Sequence, residues 1–204
     1  MKKHYTPRDA WEAFRDRKYE LACHIWIKLM TEAQSIGSQR SYQLSYTHVL
    51  VAQHRYAEAV DILKELHESD PKPIYLHQLA FVAREAQEFS QARAYLHLEK
   101  QLIEPSEHLL LAGNEYEQGI VTWLEGNLES ALAHAHKSLD HAQKADDQAA
   151  EGCVHRLLAD LYKESGDHAS ALENYQAAQH AFLMLGDTLA AKDISRHLQE
   201  SKGT

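Results

Sequence analysis

An alanine returns along this chain at intervals that fit a pair of helices: Ala22, Ala59, Ala92, Ala131 and Ala171, separated by 37, 33, 39 and 40 residues. Twelve residues before each stands a small residue: Ala10, Thr47, Ala80, Gly119 and Ala159. Three before stands a ring or a bulky group: Tyr19, Tyr56, Phe89, Leu128 and His168. Four after come Trp26, Leu63, Leu96, Ala135 and Tyr175. A unit of this length cannot bury its apolar face alone, so the period predicts a stack of two-helix units. The small residues lie where the two helices of a unit cross, and the large ones four along fill the groove beside the crossing.

Composition supports helix throughout. Ala, Leu, Gln, Glu and Lys dominate, Gly (8) and Pro (4) are scarce, and no stretch alternates as a half-buried strand would. A chain of 204 residues that is 44% hydrophobic and 25% charged can bury a core as one domain. The opening MKKHYTPRDAW lacks the apolar run of a signal peptide, and no run approaches bilayer length, so a cytoplasmic location without membrane contact is expected. Cys23 and Cys153 read as free thiols, with a disulfide as the lesser alternative. The net charge of −9 argues against a nucleic-acid partner, since phosphate contacts need a basic surface. Residues 1–40 carry eight Lys/Arg against five Asp/Glu, which leaves −12 on the remainder. This reads as a mildly basic cap on a solvated acidic surface; the alternative is that the first repeat meets a different, acidic surface.

Helix boundaries are signalled locally. Thr6-Pro7-Arg8-Asp9 reads as an N-cap, a proline at the first helical position and an acid in the first turn. Pro105-Ser106-Glu107 predicts another helix start, and Gly37, Gly126 and Gly166 predict helix ends or separations. Gly186-Asp187-Thr188 opens a last helix over 188–201, with Leu189, Ala190, Ile194 and Leu198 inward and Lys192, Asp193, Arg196 and Glu200 outward. Such a helix shelters the last exposed core face; dimerisation through it is the lesser alternative.

The segment LLADLYKESGDHASALENYQAAQHAFLMLGD carries the plan most fully. Its Leu158, Ala159, Tyr162, Gly166, Ala171, Tyr175 and Ala178, with Pro71 closing the second unit, resemble the tetratricopeptide repeat, in a long form of about 40 residues met in bacteria. The chain departs from the pattern in two places. The first-helix aromatic is replaced by Thr6, Gln43, Leu76, Glu115 and His155, and the turn glycine by Arg17, His54 and Gln87. The resemblance implies an all-α fold, a right-handed α-solenoid of about five helix pairs plus a C-terminal capping helix. The repeats would span roughly 6–36, 38–70, 72–104, 106–146 and 147–186 within one domain of residues 1–204.

The resemblance also implies that the first helix of each pair lines a concave groove. Trp11 and Phe14, then Leu44, His48 and Val51, then Ile74, His77, Phe81 and Arg84, then Tyr116, Ile120 and Trp123 would face it, followed by the polar Arg156, Asp160 and Lys163. The paired Lys, Arg and Asn of carboxylate-clamp members are missing from these places. A row apolar for four repeats suits an amphipathic helix or an extended apolar peptide, with Arg84 and Arg156 able to hold an acidic group. Some of these rings could equally pack into the core.

No phosphate loop, nucleophile elbow or zinc-protease motif appears, and Glu115, Glu117 and Asp160 are acids with no partnering base. No enzyme, cofactor or metal site is expected. Among the 15 histidines, His136 and Asp140 could chelate as a pair, while His134 and His136 point different ways. Solvated histidines are the expectation, with a pH response as the softer one. The function expected is a non-catalytic protein- or peptide-binding scaffold. The alternatives are a peptide-sensing module acting on a separate output protein, and a self-associating assembly factor, so homo-oligomers stay open.

Overall fold

The computed structural model describes residues 4–200, with side chains through Leu198. Eleven helices follow one another among the described residues: α1 (Pro7–Arg15), α2 (Tyr19–Thr31), α3 (Ile36–Ala52), α4 (Tyr56–Ser69), α5 (Pro73–Glu85), α6 (Phe89–Leu102), α7 (His108–Leu124), α8 (Leu128–Lys144), α9 (Gln148–Ser165), α10 (His168–Met184) and α11 (Thr188–Glu200). They form two compact units, residues 1–95 and 96–204. In the first, α1 packs on α2, α2 on α3, α3 on α4 and α4 on α5. In the second, α7 packs on α8, α8 on α9, α9 on α10 and α10 on α11.

The caps follow from sequence. Thr6 and Asp9 form a reciprocal capping box: Thr6 Oγ1 accepts from Asp9 N at 3.3 Å and Thr6 N donates to Asp9 Oδ2 at 2.7 Å. In the second unit, Asn127, Asp147, Asp167 and Asp187 each accept from a backbone N–H three residues on, at 2.8–3.1 Å. Seven of the described helix ends, those of α1, α3, α5, α7, α8, α9 and α10, share one device. Arg17, His54, Gln87 and Asp146 adopt φ of 52–62°, and Gly126, Gly166 and Gly186 adopt 73–83°. The next residue's N–H then bonds back five residues: Lys18 to Ala13, Arg55 to Leu50, Glu88 to Ala83 and Asp167 to Tyr162, at 2.8–2.9 Å. This is the Schellman closure, and it needs the left-handed residue whether or not that residue is glycine.

The alanine framework forms the core. Ala22, Ala59, Ala92 and Ala131 are fully buried and Ala171 is 2% exposed. Ala10, Ala80 and Ala159 are fully buried, as are Leu63, Leu96, Ala135 and Tyr175. In the first unit, Ile25, Trp26, Val49, Leu50 and Leu79 complete this core.

Three sequence expectations are corrected. Gly37 separates nothing: α2 has ended at Thr31, and Gly37 lies in the first turn of α3 behind the N-cap Ser35. Pro105 and Ser106 form a turn rather than the first helical residues, Glu107 is the N-cap with its carboxylate accepting from Glu104 N at 2.8 Å, and α7 starts at His108. Leu189 is 74% exposed, while Ala191 and Ile194 are buried. At 3.6 residues per turn, Leu189 stands about 200° round the helix from Ala191, so both cannot face α10. Residue 201 of the expected closing helix lies outside the described residues.

Candidate functional site

In the first unit the first helices α1, α3 and α5 carry one continuous row of rings. Phe14 meets Trp11 edge-on at 5.6 Å, Trp11 meets His48 at 5.8 Å, and His48 meets Phe81 at 5.8 Å. Arg84 lies over the Phe81 ring at 5.0 Å and pairs with Glu85 at 2.5 Å. Trp11 rests edge-on against the buried Trp26, which fixes the row to the core. All five residues of the row are half-buried, as are Leu44 and His77, so each keeps an accessible edge. Ile74 is exposed. Val51 is different: it is 6% exposed and belongs to the core, which leaves a ligand almost no surface. Helix α3 turns Leu44 and His48, four apart, to the row; Val51, three further on, lies deeper on the same side of the helix, inside the core. Burial pushes the His48 imidazole below its ordinary value, favouring the neutral ring among its apolar neighbours.

In the second unit Tyr116, Ile120 and Trp123 on α7 are partly buried against the cluster of Ala131, Ala135, Val154, Leu157, Leu158 and Leu161. Trp123 Nε1 donates to Glu164 Oε2 at 2.6 Å, and Tyr175 Oη donates to Asp160 Oδ1 at 2.5 Å. His197 stacks on Tyr175 with centroids 5.3 Å apart. With Lys163 these side chains line an open cleft of about 540 Å³. The structure thus brings Trp123, Asp160 and Lys163 together. Arg156 is elsewhere: it pairs with Asp193 of α11 at 2.8 Å, tying α9 to the last helix.

A buried polar cluster escaped the sequence reading. Glu99, Asn114, Glu115 and Glu117 are all buried. Asn114 Nδ2 donates to Leu96 O at 2.9 Å and to Glu99 Oε2 at 2.8 Å. Glu115 takes Lys100 Nζ at 2.5 Å and His134 Nδ1 at 2.7 Å. Burial alone would raise the Glu115 carboxyl, but hydrogen bonds from His134 and Lys100 outweigh it and hold it at about 2. The signal was present in the sequence: Glu115 occupies the place of the first-helix aromatic. Its partners come from α6 and α8, which no local pattern joins.

The histidines are less solvated than expected. His134 bonds Glu115, His136 bonds Tyr162 Oη at 3.0 Å, and His155 bonds Asn174 at 2.8 Å. His108 and His141 face each other, Nδ1 to Nδ1, at 3.3 Å. Among the described residues, no group of three or more His, Cys, Asp or Glu side chains is placed to hold a metal. Cys23 and Cys153 are both unlinked. No described helix is long and apolar enough to cross a membrane.

Antiparallel helix pairs built on a buried Ala framework, each closed by a left-handed residue, define an all-α fold of the α-solenoid class. Residues 110–181 match the model of the tetratricopeptide repeat family, and solved tetratricopeptide repeat proteins share the fold over nearly all of the chain's length. A tetratricopeptide protein of Thermus thermophilus superposes with a TM-score of 0.68 at 16% identity, covering 97% of both chains. A signal-transduction ATPase with numerous domains from Pyrococcus horikoshii, with a tetratricopeptide repeat sensor, gives 0.70 at 18% identity; the match covers 94% of this chain and 29% of that one. PilW, a type IV pilus biogenesis factor, gives 0.61 at 15% identity over 95% and 90% of the two chains. No curated protein matches by sequence. Repeats of this family are in general protein-interaction scaffolds without chemistry of their own.

Proposed function

We propose that this protein is a non-catalytic, cytoplasmic scaffold that binds a protein or peptide along its first-helix faces. The observation that carries the reading is the row Phe14–Trp11–His48–Phe81–Arg84, in which every side chain is half-exposed yet held in place by its neighbours. Rigid aromatic anchors with an accessible edge contribute most of the energy at peptide sites. Their apolar faces suit an amphipathic helix or an extended apolar segment. Leu44 and His77 extend the row in the first unit; Tyr116, Ile120, Trp123, Asp160 and Lys163 serve the second. The division of residues 1–204 into one array with the repeat bounds given above belongs to the same proposal.

The test is capture of partners from native lysate by wild type, by Trp11→Ala with Phe81→Ala, and by Trp123→Ala. Loss of the captured partner with retained helical circular dichroism supports the scaffold. Undiminished capture by every folded variant overturns it. A sensory reading is favoured by one finding, the likeness to an ATPase whose repeats are called a sensor. A short apolar peptide that raises the melting temperature would favour that reading, with a separate output protein. Growth of the scattering mass with concentration would favour self-association.

A further inference from the structure

We propose that the cleft of the second unit takes a cationic side chain, of the arginine or lysine type, from the bound partner. This rests on the scaffold reading and names what the partner presents to the polar end of the site. The first support is the state of two carboxylates. Asp160 and Glu164 each accept a hydrogen bond from a neutral aromatic donor, Tyr175 Oη at 2.5 Å and Trp123 Nε1 at 2.6 Å. Neither has an ion pair among the described residues, although both line the cleft with Lys163. The donors fix the carboxylates in position without neutralising them, and each keeps a second oxygen for a ligand.

The second support is the cleft itself. About 540 Å³ opens beside the Trp123 indole, room enough for a guanidinium or an ammonium with its stem. An indole next to carboxylates suits a cation twice over, by charge and by attraction to the ring face. The third support is the field of the unit. Residues 96–204 hold eight Lys/Arg against 18 Asp/Glu, a net of −10, whereas residues 1–95 hold 13 against 12, a net of +1. The whole negative charge of the chain lies in the unit that carries the cleft, so approaching cations are drawn to it and anions repelled.

The experiment titrates the full chain with N-acetyl-arginine amide and with N-acetyl-citrulline amide, its neutral isostere, following the Trp123 indole N–H by NMR. The arginine probe should bind at least tenfold more tightly than citrulline, and weaken as salt rises. Asp160→Asn and Glu164→Gln should each weaken it by a similar factor while the melting temperature holds; both amides still accept the aromatic donor. Equal binding of the two probes, binding of N-acetyl-glutamate amide as tightly, or full affinity in both variants overturns the proposal. The probe needs no natural partner. Its failure alongside intact loss of capture in Trp11→Ala with Phe81→Ala removes the cationic pocket alone. Undiminished capture in those variants removes the scaffold.

Discussion

Gln87 holds φ at 62° with an ordinary side chain, as Arg17 and His54 do at 58°. A left-handed conformation costs an L-residue about 1 kcal/mol that glycine does not incur. Gln87→Gly should therefore stabilise by roughly 0.5–1 kcal/mol, partly offset by the freedom glycine gains when unfolded. Gly166→Ala, at φ +83° with nothing within 4 Å of an added Cβ, should destabilise by about 1 kcal/mol from backbone strain alone. Urea melts of the two variants check both signs. Glu115 carries the pH dependence at this scale. Its folded value near 2 lies below the ordinary 4.5, so its contribution is complete above about pH 5 and disappears as pH falls toward 2. The ceiling is about 3 kcal/mol, reduced because Lys100 is half-exposed. Glu115→Gln should lower stability at pH 7 and flatten the acid limb of the pH–stability curve.

Between elements, close approach decides which substitutions are tolerated. A Cβ on Gly152 of α9 would meet Ala181 Cβ and the Phe182 ring of α10 at 3.2 Å. A Cβ on Gly119 of α7 would meet Leu157 Cδ2 at 3.4 Å and Ala131 O at 3.5 Å, ordinary contact distances. Gly119→Ala should therefore be neutral or stabilising, gaining up to about 1 kcal/mol of helix propensity. Gly152→Ala should be destabilising, because Ala181 can yield only if α10 shifts. Calorimetry of the pair should place the Gly119→Ala melting temperature above that of Gly152→Ala. The same crowding makes Ala131→Leu costly, by about 1–3 kcal/mol, since Ala131 is fully buried on α8.

For the whole molecule, two histidines bias stability against acid. His48 in the first unit and His141 in the second are both pushed below the ordinary value, each chiefly by burial; for His141, Asp140 opposes the shift while His108 and Lys144 add to it. Below about pH 6.5 the unfolded chain takes up protons that the folded one holds off, so stability falls as pH falls. Melting temperatures measured from pH 7.5 to 5.5 should decline, and the decline should shrink in His48→Phe and His141→Gln. Unchanged slopes in both variants would show that other groups set the dependence.

The sequence by itself determined the helices, their pairing plan and much of their closure. The alanine spacing marked residues that are now found buried, such as Ala22, Ala59 and Ala131, because steric demand at a helix crossing recurs at a fixed place in each repeat. It pointed to Trp11, His48 and Phe81 as belonging to one face, since that follows from position within a helix pair. Only tertiary structure decided which of those side chains keep a free edge. Val51 turned into the core, Leu189 turned out of it, and Arg156 was taken by Asp193. Only tertiary structure joined Glu115 to Lys100 and His134, and set Asp160 and Glu164 beside two aromatic donors. The division has a physical cause. Helix and repeat are written in contacts a few residues apart, whereas the charge state of Glu115 is set by what the fold brings to it from 15 and 19 residues away.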